Sequence, residues 1–254
     1  MVKIVENCCE EVIRQIKEAD KILIGFGAEW KIPAVESLFC AQEQWKASLE
    51  FQQRYWAADA KKEGNAGEKE EAESDKADIE RIRIGYQRIK ELVKEKDYFL
   101  ITTNVDAYLY QQGFEEERIV APCGDIRRLQ CDDFEHGTWK FYIEEEKICP
   151  ICGKVGKLNV LQNSPYQESG YLEAWERYQI WIQGAMNRKI VILELGEGFQ
   201  TPTVMRWPFE KLVFFQEKAM LYCVHKSLSM VSEKIGERAC SIAENSVDFI
   251  NRLG

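Results

Sequence analysis

The stretch Tyr98-Phe99-Leu100-Ile101-Thr102-Thr103-Asn104-Val105-Asp106 decides the fold. A short apolar run, Tyr98 to Ile101, ends abruptly in Thr102, Thr103, Asn104, Val105 and Asp106. In an open α/β sheet, ligands sit just beyond the carboxyl ends of the strands. A buried strand that delivers an amide and a carboxylate to its own tip suits such a site. The plain alternative is a strand running into a turn, since Asn and Asp are ordinary turn formers. The neighbouring segments decide between the two.

At 254 residues the chain can bury one sizeable core, or split into one large and one small module. Hydrophobic residues make up 45% and charged residues 30%, an ordinary globular balance. The formal charge of −9 argues against nucleic acid as a partner, because phosphate-backbone binding needs a basic face. No apolar run approaches the roughly 20 residues needed to span a bilayer, so no membrane partner is expected. Residues 1–20 follow an amphipathic helix pattern rather than that of a signal peptide. Among nine cysteines, only Cys149 and Cys152 form a close pair with metal-like spacing. Without an export signal that pattern favours thiols and zinc over disulfides, and predicts a cytoplasmic protein.

From Val5 to Ala19, the residues Val5, Cys8, Cys9, Val12, Ile13 and Ile16 share one helix face. Ile22 to Ile24 then reads as a buried strand running into Gly25-Phe26-Gly27-Ala28. Glycines at a strand's end let backbone amides approach a phosphate, although G-x-G alone also describes plain turns. After Ile32-Pro33 the chain is helical and aromatic-rich from about Ala34 to Ala60, a pattern typical of core packing. Lys61 to Asp78 is the most polar segment; with Gly64 and Gly67 interrupting it, it reads as a mobile, solvated excursion. Helix resumes from Ile79 to Lys96 and feeds the strand at Tyr98. Ala107 to Gln112 forms a short helix closed by Gly113. A strand through Ile119 and Val120, a Pro-Cys-Gly turn and a second strand ending at Cys131 follow.

Cys131 to Leu161 differs in texture, with a strand pair around Phe141 to Ile143 and then Cys149-Pro150-Ile151-Cys152-Gly153. That last motif has the shape of a zinc knuckle, in which a tight turn points two thiolates at one ion. Cys131 lies upstream at a suitable loop distance, and His136 is the candidate fourth ligand. A zinc held by Cys131, His136, Cys149 and Cys152 would be structural, because four protein ligands leave no open position for chemistry. The alternative is a metal-free knuckle held by apolar packing.

Beyond it, Glu173 to Met186 reads as a helix and Lys189 to Leu195 as a continuous apolar strand ending in Gly196-Glu197-Gly198. Phe209 to Phe215 is helical, Met220 to Val224 is a strand with His225 at its tip, and Ser246 to Leu253 closes as an amphipathic helix. Four apolar strands separated by helices, each ending in Gly, Asn, Asp or His, indicate a parallel doubly wound sheet with a nucleotide or dinucleotide site along one edge. Cys8, Cys9, Cys40, Cys223 and Cys240 occupy apolar periodic positions and are expected in the core.

Taken in order, Gly25-Phe26-Gly27-Ala28, Ile32-Pro33, Thr102 to Asp106, Cys123-Gly124-Asp125, Cys131, the Cys149–Cys152 knuckle and LELGEGFQTP resemble the sirtuin (Sir2-like) family of NAD-dependent enzymes. LELGEGFQTPTVMRWPF, with the aromatic-rich insert near Trp45 to Trp56, looks closest to the microbial ADP-ribosyltransferase-type branch. The resemblance implies a Rossmann-like α/β sheet with an inserted small helical and zinc-knuckle module. By position, 1–29, 79–124 and 162–254 would form the large domain, 30–78 the helical part of the small one, and 125–161 the knuckle module. NAD would lie between them. Gly25, Phe26, Gly27 and Ala28 would cradle its diphosphate, and Thr103, Asn104 and Asp106 would line the nicotinamide and its ribose. Gly196, Glu197, Gly198 and Thr201 would approach the adenosine half, with His225 near a ribose.

Three departures stand out. The family's catalytic histidine falls on Cys123; Glu29 and Ala34-Val35-Glu36 replace a Ser and an Asp-Phe-Arg; and one zinc cysteine is absent. Deacylation needs a base that takes a proton from a ribose hydroxyl. A free histidine titrates at about 6.5 and suits that task, whereas a free thiol titrates at about 8.5. With Asn104, Asp106 and Cys123 as the catalytic candidates, transfer of ADP-ribose to a protein acceptor is expected ahead of deacetylation. A degenerate NAD or ADP-ribose binding protein is the further alternative. An ordinary NAD redox enzyme would want a third glycine where Trp30 stands. Cys123 also has a plain reading as a small apolar filler in a turn, and His225 one as a polar strand terminus.

Overall fold

The four apolar runs are central strands of one sheet. The structure, a computed structural model, describes residues 8–56, 66–141 and 147–253, with the backbone alone for 66–73. Strands β1 (Lys21–Phe26), β2 (Asp97–Thr102) and β3 (Ile119–Val120) form one half of a six-stranded parallel sheet. The small strands β4 (Gly124–Gln130), β5 (Thr138–Lys140) and β6 (Lys157–Val160) follow in the chain, and β7 (Ile190–Leu195), β8 (Ala219–Val224) and β9 (Ala239–Ile242) complete the large sheet. Its order is β3-β2-β1-β7-β8-β9, with every pairing parallel. The chain runs outward from β1 in one direction and returns at β7 to run outward in the other. The switch point therefore lies between β1 and β7, where such sheets open a crevice at their carboxyl ends.

Alternate residues explain why these strands are apolar throughout. Ile22, Ile24, Leu100, Val191, Leu193 and Tyr222 enter a core on one face, while Leu23, Phe99, Ile101, Ile190, Ile192 and Leu221 enter a separate core on the other. Helices α1 (Cys8–Glu18), α3 (Ala66–Val93) and α6 (Ser246–Asn251) cover the first face through Val12, Ile16, Tyr86, Ile89 and Phe249. Helices α4 (Leu172–Gln183) and α5 (Arg206–Phe215) cover the second through Tyr178, Phe209 and Val213. With both faces buried, each large aliphatic side chain contributes roughly 1.5–3 kcal/mol, and there is no solvent-facing row to make polar. At the tip of β1, Phe26, Trp30 and Tyr86 pack ring to ring, and Trp30 Nε1 donates to Ser246 Oγ at 3.0 Å. The doubly wound sheet expected from the sequence is the observed one.

The insertion carries a three-stranded antiparallel sheet, order β5-β4-β6, and α2 (Gln44–Tyr55) packs beside it. Gly124 starts β4 at φ +102, and a Cβ there would lie 2.2 Å from the Asn159 carbonyl oxygen, so β6 can approach only a glycine. Leu161 N–H donates to the Cys123 carbonyl at 2.8 Å, which pins Cys123 between the two sheets.

Some local expectations change. Of the polar excursion expected over Lys61 to Asp78, residues 57–65 lie outside the described residues; from Ala66 onward the chain is one helix running to Val93. A strand is found at Thr138–Lys140, and residues 142 and 143 of the pair expected around Phe141 to Ile143 lie outside the described residues, as does Val5. Strand β9 was not expected. Cys223 and Cys240 are buried as expected, but Cys40 is exposed at the end of a 3-10 turn. Among the described residues no helix is long and apolar enough to cross a membrane.

Candidate active site

Glycines bring the two halves of the sheet together. Gly27 N–H donates to the Leu195 carbonyl at 2.8 Å, and Glu29 N–H to the Gly196 carbonyl at 3.3 Å. A Cβ on Gly27 would stand 2.3 Å from the Glu197 Cα, and one on Gly196 2.5 Å from Glu29 Cβ. Real side chains cannot approach so closely, so both positions require glycine. Above this junction opens a cavity of about 310 Å³, lined by Ala28, Thr103, Asn104, Cys123, Glu197, Gly198, Thr201 and His225 among others. A second cavity of about 320 Å³, walled by Tyr166, Tyr171 and Trp175, shares Cys123, Leu161 and Thr201 with the first. Cys123 thus stands on the partition between the two.

Asn104 donates from Nδ2 to the Gly27 carbonyl at 2.9 Å, and its N–H is held by Thr102 Oγ1 at 3.0 Å. Thr103 N–H donates to the Phe26 carbonyl, and its hydroxyl to Glu197 Oε2 at 2.8 Å. Asp106 is placed differently. Its carboxylate is 2% exposed, lies off the cavity, and accepts Ile32 N–H and Tyr108 N–H, each at 2.9 Å. Burial, set against those two hydrogen bonds, lifts it to about 6. It ties the loop after β1 to the loop after β2. Gly25 and Phe26 also lie beneath the rim: a Cβ on Gly25 would meet Met205 Sδ at 2.2 Å, and Phe26 belongs to the aromatic cluster.

Cys123 is 4% exposed, and burial, reinforced by the Glu197 carboxylate, pushes its thiol up to about 11. The nearby Arg127 gives it no help, since that guanidinium is bonded to Asp125 and lies 3.6 Å over the Tyr110 ring. His225 Nδ1 accepts backbone N–H groups from Ser227 at 3.0 Å and Leu228 at 2.9 Å. A nitrogen that accepts two hydrogen bonds carries no proton, so His225 is neutral, in line with its lowered pKa from burial. The 3.8 Å approach of Glu29 to the same nitrogen is therefore not an ion pair. Glu29 instead accepts Lys226 N–H at 3.0 Å and Ser246 N–H at 2.7 Å, joining the loop after β8 to the start of α6.

Sequence reasoning missed one element of the site. Arg206, 2% exposed, sits with Nη2 2.6 Å from Glu194, the penultimate residue of β7 and itself fully buried. The same nitrogen, Nη2, also donates to the carbonyls of Leu228 at 2.8 Å and Glu197 at 3.4 Å, and Nη1 donates to that of Met230 at 2.5 Å. One guanidinium thus fixes the loops after β7 and β8 from below. The available signal was an acid inside the apolar run KIVILEL, which demands a buried cation.

At the end of β4, Cys131, His136, Cys149 and Cys152 converge so that their ligand atoms lie within 4.8 Å of one another. Cys131 Sγ is 3.4 Å from His136 Nδ1 and 3.7 Å from Cys152 Sγ, and Cys149 Sγ is 3.6 Å from His136 Nδ1. A tetrahedron built on zinc–sulfur bonds of about 2.3 Å and zinc–nitrogen bonds of about 2.0 Å has edges of about 3.5–3.8 Å, so the donor set fits zinc. Gly153 at φ +72 makes the knuckle turn, donating its N–H to the Cys149 carbonyl at 2.9 Å. Four protein donors would hold the ion structurally, bracing the small sheet.

No family model matches the chain. It is 30% identical over 142 residues to a protein of Fusarium oxysporum f. sp. cubense named "Probable bifunctional ADP-ribose hydrolase/ADP-ribosyltransferase", a match covering 46% of this chain and 24% of that one. It is 22% identical over 179 residues to a "Protein ADP-ribosyltransferase" of Staphylococcus aureus, covering 63% of this chain and 57% of that one. The matches therefore span about a quarter and rather more than half of those relatives. Among solved structures, a Sir2 homologue in complex with NAD superimposes with a TM-score of 0.52 at 11% identity, covering 96% of this chain and 91% of that one. The chain has the Sir2 fold, and the resemblance drawn from its motifs is borne out.

Proposed function

We propose that this chain binds NAD in the cavity at the β1–β7 switch point, breaks the bond between nicotinamide and ribose, and transfers ADP-ribose to a protein acceptor. The carrying observation is Cys123. Deacylation needs a base for a ribose hydroxyl, and the group at that position is a buried thiol held up to about 11, with no cation beside it among the described residues. Transfer dispenses with that base, because the acceptor itself attacks the anomeric carbon. The names of the Fusarium and Staphylococcus relatives, and the NAD held by the Sir2 homologue, support this reading.

The residues fit the dinucleotide. Gly27 and Gly196 let the two halves of the sheet close tightly beneath the cavity, Ala28 and Gly198 line it, and Asn104 is fixed by the Gly27 carbonyl at the rim. Asn104 orients the ribose, Asp106 holds the Asn104 loop against the Ile32 loop, and Cys123 separates donor from acceptor. The acceptor enters through the aromatic-walled second cavity.

Mass spectrometry of candidate acceptor proteins incubated with NAD tests the proposal. An added ADP-ribosyl mass with stoichiometric nicotinamide release is expected. Removal of an acetyl group from an acetyl-lysine peptide, with no adduct, would establish deacylation instead. NAD binding without nicotinamide release would leave a binding protein.

A further inference from the structure

Glu197 is the unusual group of the cavity. Gly196 turns the chain at φ +70 directly after β7, and the Glu197 side chain then crosses above the tip of β1. Its carboxylate reaches Thr103 Oγ1 beyond β2 at 2.8 Å and Thr201 Oγ1 at 3.3 Å. It therefore bridges the crevice of the switch point and lies beside Cys123, while being only 2% exposed. Neutral glutamine would satisfy two threonine hydroxyls equally well. A carboxylate here bears the cost of desolvation without a structural need. It would also repel a diphosphate, so it belongs against the cationic end of the dinucleotide rather than the adenosine half.

We propose that Glu197 is the catalytic carboxylate of this site, balancing the positive charge that builds on the ribose C1′ and accepting the proton of the attacking group. The inference rests on the NAD-cleaving reading above. In the step, the C1′–N bond breaks and its electron pair passes to the ring nitrogen, releasing neutral nicotinamide. A lone pair of the acceptor (a protein nucleophile, or water) forms the new bond to C1′, and the acceptor's proton passes to Glu197 and on to solvent. The other candidates on the cavity wall are disqualified by their bonding. The Cys123 thiol stays protonated, His225 has its free nitrogen occupied by two N–H groups, and Glu36 is exposed and paired with Lys31 at 2.6 Å. The titratable and charged groups around Glu197 are Cys123 before β4, Glu194 on β7 and Arg206 on α5, with His225 and Lys31 elsewhere on the wall. Burial raises Glu197 above the ordinary carboxylate value, against its two hydroxyl partners and Arg206.

The test compares wild type with Glu197→Gln and Glu197→Asp, using thermal melts, calorimetry with NAD, and nicotinamide release against pH. Glu197→Gln should melt with wild type, bind NAD within a few-fold, release nicotinamide at least ~100-fold more slowly, and lose the acidic limb of the pH profile. Glu197→Asp should keep that limb with a reduced kcat, and decides the matter if the glutamine variant does not fold. Turnover within a few-fold of wild type in either folded variant, or a loss matched by weaker NAD binding, would overturn the assignment. A wild-type protein that binds NAD but releases no nicotinamide would remove the underlying reading and this one with it. That outcome is distinct from an active wild type with an equally active Glu197→Gln.

Discussion

Arg206→Met removes the cation beneath the site and leaves Glu194, near the end of β7, buried with only the Cys223 thiol as a neutral partner. Losing one member of a buried pair costs about 3–5 kcal/mol. The carbonyls of Leu228 and Met230 also lose a charged donor, which can add about 1–3 kcal/mol where water does not replace it. For a chain of this size each kcal/mol shifts Tm by about 2–4 °C, so a fall of at least ~6 °C is expected. Glu194 already titrates high, at about 7, because burial outweighs the guanidinium. Without that guanidinium its folded pKa rises further above the unfolded value. The destabilisation should therefore be mild below pH 6 and grow as pH rises past neutrality, where the lone carboxylate must ionise. Urea melts of wild type, Arg206→Met and the double variant Glu194→Leu/Arg206→Met at pH 6 and pH 8 measure this. The double variant should regain much of the loss, since an apolar pair carries no buried charge. A loss of under ~1 kcal/mol in Arg206→Met at pH 8, or a double variant no better than the single, would refute the reasoning.

Gly27→Ala places a Cβ 2.3 Å from the Glu197 backbone, and should both destabilise the fold by more than about 1–3 kcal/mol and abolish NAD binding in calorimetry. Metal analysis of the purified protein should find one zinc per chain, and Cys149→Ser or a strong chelator should lower Tm while leaving the six-stranded sheet's circular-dichroism signal. Asp106 has a folded pKa raised from 3.8 to about 6, so the stability it confers is present below pH 3.8 and is lost as pH rises through 6. That lift corresponds to a loss of up to about 3 kcal/mol at 1.36 kcal/mol per unit, and Asp106→Asn should flatten this stretch of the pH–stability curve in urea melts.

The central strands were legible because burial on both faces leaves a sequence little freedom: KILIGF, YFLIT and KIVILEL are apolar at both parities. Edge strand β9, Ala-Cys-Ser-Ile, is only four residues long and broken by a serine, so nothing distinguished it from a loop. The first turns of α3 were missed because a charged helical stretch carries no apolar period, and Gly67 argued against it. The zinc set was legible from spacing around a knuckle. The arrangement of the cavity wall was not. Glu197 meets Thr103 across 94 positions, and Arg206, ahead of the helix expected from Phe209, was unremarkable until the fold set Glu194 against it. Asp106 carried the right side chain at the right strand tip, but the local turn and Ile32 engaged both of its oxygens.

The central claim is that the rim above Gly27 and Gly196 grips NAD with its scissile bond between Asn104, Glu197 and Cys123. A crystal structure of the protein soaked with NAD or ADP-ribose tests it most directly. The account predicts the nicotinamide-side ribose within hydrogen-bond distance of Asn104 and Glu197, with Cys123 at its far side. A rim left empty at saturating ligand, or a dinucleotide bound elsewhere on the molecule, would contradict it.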